Sequence, residues 1–102
     1  MLQSGLFITA EIRIKPEKEL RHAITALYAF CRAMETEPGC SMALPLQDKE
    51  DPCRFILWER YDDKTAFEAH FQAQHTQDFI ASGLTDLIQA FELQQPELEP
   101  LL

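Results

Sequence analysis

Between residues 6 and 14 the chain alternates strictly, with Leu6, Ile8, Ala10, Ile12 and Ile14 on one side and Phe7, Thr9, Glu11 and Arg13 on the other. A period of two sustained over this length defines a half-buried β-strand. Such a strand cannot stand alone. Its backbone groups need neighbouring strands, and its apolar face needs a layer to cover it.

The residues that follow supply both. Lys15-Pro16 ends the strand, and Pro16 suits a first helical turn, where its missing N–H would be unpaired anyway. Glu17 and Glu19 fall in that turn, where the helix dipole favours negative charge. Leu20, Ile24, Leu27, Tyr28, Cys31 and Met34 recur at helical spacing, with Ala23 and Phe30 widening the stripe, which predicts a helix over 17–36. Glu37-Pro38-Gly39 breaks it. A strand over 40–47, the polar turn QDKEDP and a second strand over 53–61 read as a hairpin. Asp62 or Asp63 can cap a further helix carrying Ala66, Phe67 and Phe71. A kink near His75 leads to a short segment with Phe79 and Ile80 that closes at Ser82-Gly83. LIQAFELQQ, residues 87–95, reads as a last strand.

The order β-α-β-β-α-β defines an α+β, ferredoxin-like fold: an antiparallel sheet with its helices on one face. We expect one domain over 1–102, with 94–102 as a Pro-rich tail. The other sheet face would be a large exposed apolar patch. A second copy of the chain is the simplest cover, so a homodimer is expected.

At 102 residues the chain can bury roughly 60–65% of its extended surface. Seventeen acidic against nine basic residues give a charge of −8, which repels a phosphate backbone and an anionic membrane alike. No apolar run approaches the ~20 residues of a membrane span, and MLQSGLFITA lacks a basic region followed by a long apolar stretch. The cytoplasm is the expected location. Cys31, Cys40 and Cys53 match neither a disulfide framework nor a CxxC motif, and read as small apolar thiols.

Acid–base residues are what remain for chemistry. His70 sits among Ala66, Phe67 and Phe71, and an imidazole in aromatic surroundings suits proton transfer. His75 lies five residues on, about 140° around a regular helix, so the two share a face only if the helix breaks between them. That spacing argues against a metal, and His22 reads as solvated. Glu59 shares its strand face with Phe55, Leu57 and Tyr61, where a carboxylate needs a donor such as a histidine or a tyrosine hydroxyl, or an ion pair with Arg13 or Arg60. Trp58 and Arg60 point the opposite way. No nucleophile signature, phosphate loop or dinucleotide fingerprint is present.

EIRIKPEKE, TEPGC and WERYDDKTAFEAHFQAQH resemble the antibiotic biosynthesis monooxygenase family over nearly the whole chain, most specifically in A-F-E-A-H and the Q-x-x-H that follows. The resemblance implies a dimeric α+β barrel with a pocket in each subunit. It also implies a monooxygenase that needs no metal, flavin or other cofactor: a quinol or polycyclic phenol is deprotonated and itself reduces dioxygen. On that pattern His70 is the proton acceptor, Glu59 and His75 orient or relay, and Phe55, Tyr61, Phe67 and Phe71 wall the substrate. Two positions depart from the pattern: Gln74, where proline or a small residue commonly precedes the second histidine, and Tyr61, where tryptophan is expected. Ile80 stands where haem-degrading relatives carry an iron ligand, which argues against haem. The RFILWERYDDKTAFEAH run resembles an isomerase branch that takes a phosphorylated, sugar-like signalling compound, for which Arg13, Arg54 or Arg60 would have to point inward. A third expectation is a non-catalytic small-molecule-binding or stress module of the same fold.

Overall fold

A computed structural model of the chain describes residues 4–97. Strand β1 (Leu6–Ile14) is followed by helix α1 (Leu20–Met34), strands β2 (Cys40–Gln47) and β3 (Arg54–Tyr61), helices α2 (Lys64–His70) and α3 (Gln74–Ser82), and strand β4 (Thr85–Leu93). The strands form one antiparallel sheet in the order β2-β3-β1-β4. This is the ferredoxin-like α+β arrangement that the alternation of periods predicts. Among the described residues no helix is long and apolar enough to cross a membrane.

The alternation in β1 becomes packing directly. Ile8, Ala10, Ile12 and Ile14 are buried, and across the ladder they meet the buried face of β3, which holds Phe55, Leu57, Glu59 and Tyr61. Helix α1 covers this surface with Ala23, Leu27, Cys31 and Met34, all essentially without solvent contact. Burying the larger of these side chains, such as Leu27 and Met34, stabilises the fold by about 1.5–3 kcal/mol each, so the packing of α1 on the sheet is the main cohesive layer. Burial pushes the Cys31 thiol up to about 12 and the Cys40 thiol up to about 11, which keeps both protonated and inert.

Three boundaries differ from the sequence expectation. Helix α1 starts at Leu20, because the Glu19 carboxylate accepts from the His22 backbone N–H at 2.5 Å and caps it there. Pro16 and Glu17 therefore lie in the preceding turn and not in the helix. Strand β4 begins at Thr85, opposite Ile14, two residues earlier than its apolar run suggests, because pairing with β1 resumes as soon as the left-handed Gly83 (φ 64°) has ended α3. The helical break falls at residues 71–73, ahead of His75. There Phe71, Gln72 and Ala73 donate to the carbonyls three residues back, tightening and ending α2. Asp63 is the cap of α2, accepting from the Ala66 N–H at 2.8 Å.

The second sheet face is open in this chain. Register places Phe7, Met42, Leu44, Leu46, Ile56, Trp58, Phe91 and Leu93 on it, and Leu44, Leu46, Trp58, Phe91 and Leu93 are exposed. Its far end is polar: Arg13 pairs with Asp51, and Arg54 bridges Glu11 and Asp48, each at 2.8 Å. Of the expected tail, 94–97 has no regular structure and 98–102 lies outside the described residues.

Candidate functional site

The chemistry collects where α2, α3 and the α1–β2 turn meet the sheet. His70 ends α2, and the break after it turns the chain so that α3 presents His75 toward the same point. Both rings reach one carboxylate oxygen. Glu37 Oε2 lies 2.8 Å from His70 Nδ1 and 2.5 Å from His75 Nε2. The two histidines thus converge, which continuous helical geometry would have prevented. Glu37 comes from the Glu37-Pro38-Gly39 turn, and the turn is closed down on α2: a Cβ at Gly39 would stand 2.4 Å from that of Ala66. Glycine at this position is what lets the two segments approach.

His70 is nearly inaccessible, while the His75 side chain keeps 27% of its surface. Thr76, itself buried, places Oγ1 3.2 Å from His70 Nδ1. The His70 ring is enclosed by Phe30, Tyr61 and Phe71 at centroid distances of 5.9, 5.6 and 5.2 Å. Phe30 in turn stacks on Phe79 at 4.4 Å.

A cavity of about 200 Å³ opens beside this imidazole. Its floor is Ile8, Ala10, Ile12, Leu57 and Glu59 of the sheet. Its walls are Phe30, Phe67, His70, Phe71, Thr76 and Phe79, and its rim is Ile80, Leu87 and Ala90. A larger surface groove of about 480 Å³ runs past Glu37, Asp62 and Asp63 on the other side of α2, but neither imidazole lines it.

Glu59 is buried on the cavity floor and accepts the Tyr61 hydroxyl at 2.7 Å. Burial raises its carboxyl to about 7; the Tyr61 hydrogen bond opposes the rise, and the nearby Glu37 carboxylate adds to it. Burial likewise raises the Tyr61 phenol, so the hydroxyl remains the donor. The donor that Glu59 requires is the tyrosine, not Arg13 or Arg60.

The residues singled out from sequence separate into two groups. Glu59, His70, Phe67 and Phe71 line one cavity, with His75 behind His70 and Tyr61 behind Glu59. Phe55 is in the core without lining the cavity, and Arg13 is on the opposite sheet face, held by Asp51. Glu37, Phe30, Thr76 and Phe79 are site residues that spacing alone does not reveal. TEPGC, one of the segments carrying the family resemblance, does hold a carboxylate where a turn needs none.

Glu37, His70 and His75 offer one oxygen and two nitrogens within 4.8 Å of one another, a donor set of the type that takes a divalent cation. Glu37 Oε2 is within hydrogen-bond distance of both rings, 2.8 Å from His70 Nδ1 and 2.5 Å from His75 Nε2. As arranged, the three side chains satisfy one another.

A small ferredoxin-like domain with an apolar pocket and inward-facing titratable residues is the class that fold and site define. The profile of the family described as "Antibiotic biosynthesis monooxygenase" matches residues 5–82, and the chain belongs to that family. It is 29% identical to YjcS of Bacillus subtilis over 83 residues, covering 79% of this chain and 77% of that protein. It is 24% identical to sll1783 of Synechocystis over 75 residues, a match that takes in 74% of this chain and spans half of that protein's length. The solved structure of YjcS superimposes with a TM-score of 0.82 at 22% identity over 91% of this chain and all of the other. PA3566 from Pseudomonas aeruginosa superimposes at 0.75 and 23% identity, over 97% and 99%. These likenesses carry the fold.

Proposed function

We propose that the chain is a cofactor-independent monooxygenase that deprotonates a small quinol or phenol in the cavity beside His70 and lets the resulting anion reduce dioxygen. One observation carries the reading: a buried imidazole lines a mainly apolar, ring-sized cavity while its Nδ1 is held by a carboxylate, which leaves Nε2 for a ligand. His70 takes the hydroxyl proton of the substrate. The anion gives an electron to dioxygen, and the two radicals join in a carbon–oxygen bond. One oxygen atom stays on the ring and the other leaves as water, so a quinol plus dioxygen becomes a hydroxyquinone plus water. Glu59, with its carboxyl raised to about 7, supplies a proton to the departing oxygen. Phe67, Phe71 and Phe79 keep bulk water from the peroxide stage.

Cavity size narrows the substrate. An apolar cavity of ~150 Å³ holds benzene, so about 200 Å³ suits one or two fused rings better than a polycyclic phenol of three or more. The test is oxygen uptake with benzene-, naphthalene- and anthracene-based quinols or anthrones. Uptake above the uncatalysed rate is expected with the first two. None with any of them sinks the proposal.

The isomerase alternative loses support from charge. Among the described residues no lysine or arginine lines the cavity, and Arg13, Arg54 and Arg60 sit on the other sheet face, bonded to Asp51, to Glu11 and Asp48, and to Asp62. A phosphate would find no partner there.

The same reading includes a homodimer joined through the open sheet face. Exposed Trp58 and Leu93 line a concavity of about 320 Å³ there, and exposed Phe91 lies on the same face, an apolar surface of the kind that marks an interface. Light scattering at micromolar concentration should give twice the chain mass, and Trp58→Asp should shift it toward one. A parent protein that runs as a monomer refutes the pairing.

A further inference from the structure

We infer that Glu37 is a positioning residue for His70: it fixes the imidazole as the Nδ1–H tautomer, so that the Nε2 lone pair is the one offered to the cavity, and it balances the positive charge that forms when His70 takes a proton. The kinetic part of this inference rests on the oxygenase reading, whereas the tautomer stands independently of it.

The geometry assigns the roles. A carboxylate only accepts, so a ring nitrogen 2.8 Å from Glu37 Oε2 must carry the hydrogen, and that nitrogen is Nδ1. A neutral imidazole has one N–H, and its other nitrogen is then a base. Nε2 has no hydrogen-bond partner among the described residues, and the ring lines the cavity. The Glu37 side chain is 12% exposed, so its charge acts through little water. His75 donates to the same oxygen from the other side and fixes the carboxylate in place. It reaches Glu37 from α3 while His70 reaches it from α2, so the break at 71–73 is what allows one carboxylate to serve both rings.

The proton balance is simple. Substrate O–H gives its proton to Nε2, and His70 becomes an imidazolium with N–H on both nitrogens. The Nδ1 proton stays in its bond to Glu37, whose negative charge offsets the new positive one. When the base is regenerated Nε2 loses the proton. The arrangement is that of a carboxylate orienting a catalytic imidazole, in which replacing the acid by its amide presents the wrong tautomer and costs about 10⁴ in kcat in the serine-protease case.

The experiment uses Glu37→Gln, Glu37→Asp and His75→Asn with two readouts. Long-range proton–nitrogen NMR of the full chain reads the tautomer without substrate. The parent should show His70 protonated on Nδ1, and Glu37→Gln should lose that signature or populate Nε2–H. With the naphthalene quinol, Glu37→Gln should lower kcat about 10²-fold or more with little change in KM, and displace the acidic limb of the pH profile. Glu37→Asp should recover part of both, and His75→Asn should fall between. Titratable groups facing His70 are Glu37 from the turn and Glu59 and Tyr61 from β3, with His75 of α3 beyond Glu37, so the profile of Glu59→Gln is run beside it. A parent His70 protonated on Nε2 overturns the inference, even if oxygen uptake is robust. An unchanged pH profile and kcat in Glu37→Gln overturn it too, as does activity lost to a chelator and restored by zinc alone, which would assign the three side chains to a metal. A protein that turns over no quinol but shows the Nδ1–H tautomer leaves the positioning intact and removes the oxygenase reading.

Discussion

His70→Ala should lower kcat for the naphthalene quinol by at least about 10²-fold, the usual contribution of a general base. Among the described residues His70 is the one imidazole that lines the cavity, and the other titratable side chain there is Glu59 on its floor. Removing the ring also removes its packing against Phe30, Tyr61 and Phe71 and frees one lone pair of Glu37, at a cost of about 2–4 kcal/mol in stability. His70→Asn is therefore run in parallel. Its amide nitrogen falls where Nδ1 stood and can still donate to Glu37 but cannot take a proton, so it should lose less stability than the alanine variant and be equally inactive. Oxygen uptake by His70→Asn at the parent rate would dismiss the base.

Stability should fall as pH rises from about 4.5 to 7, and Glu59→Gln should abolish that fall. The Glu59 carboxyl is raised from 4.5 to about 7 by burial, so the folded protein holds its proton more tightly than the unfolded chain does. Protonation thus favours folding below the unfolded value, and this contribution is lost as pH climbs through the folded one. The shift corresponds to about 3 kcal/mol at pH 8 and to almost nothing at pH 4. Asp48 and Asp51 work the other way, since backbone N–H groups and arginine partners hold both carboxyls below their usual range and stability is lost when acid protonates them. Urea denaturation should therefore find the parent most stable in mildly acidic buffer, with Glu59→Gln ahead by up to about 3 kcal/mol at pH 8. A parent curve that is flat between pH 5 and 8 would mean that water reaches Glu59.

The sheet was legible in the sequence because its signal is local. Alternation in β1 and the apolar run in β3 specify which face each side chain takes, and the ladder keeps that assignment throughout. Bulges are not local in this sense: the register shifts at Cys40–Met42 and beside Glu11–Ile12 arise from pairing with a neighbour. Half of the site was legible for the same reason, since Glu59 among Phe55, Leu57 and Tyr61 stands out on an apolar face. The other half was masked. Glu37 lies beside a Pro-Gly pair whose turn chemistry accounts for the segment without it. The convergence of His70 and His75 depends on a break at Phe71-Gln72-Ala73, three residues with no glycine or proline to announce it. Arg13 drew attention as a cation near the strand glutamate, yet strand alternation already sends it to the opposite face, where Asp51 claims it.

The carboxylate that joins the two imidazoles lies 33 and 38 positions away from them along the chain. Closing loops of that length costs entropy that only the finished sheet repays. The trio therefore needs long-range closure and cannot form within an isolated hairpin or helix. Its ring signals in a refolding experiment report on tertiary structure, not on local elements. Any substitution that merely loosens the scaffold, however distant, draws down the competent fraction in proportion to the population it unfolds.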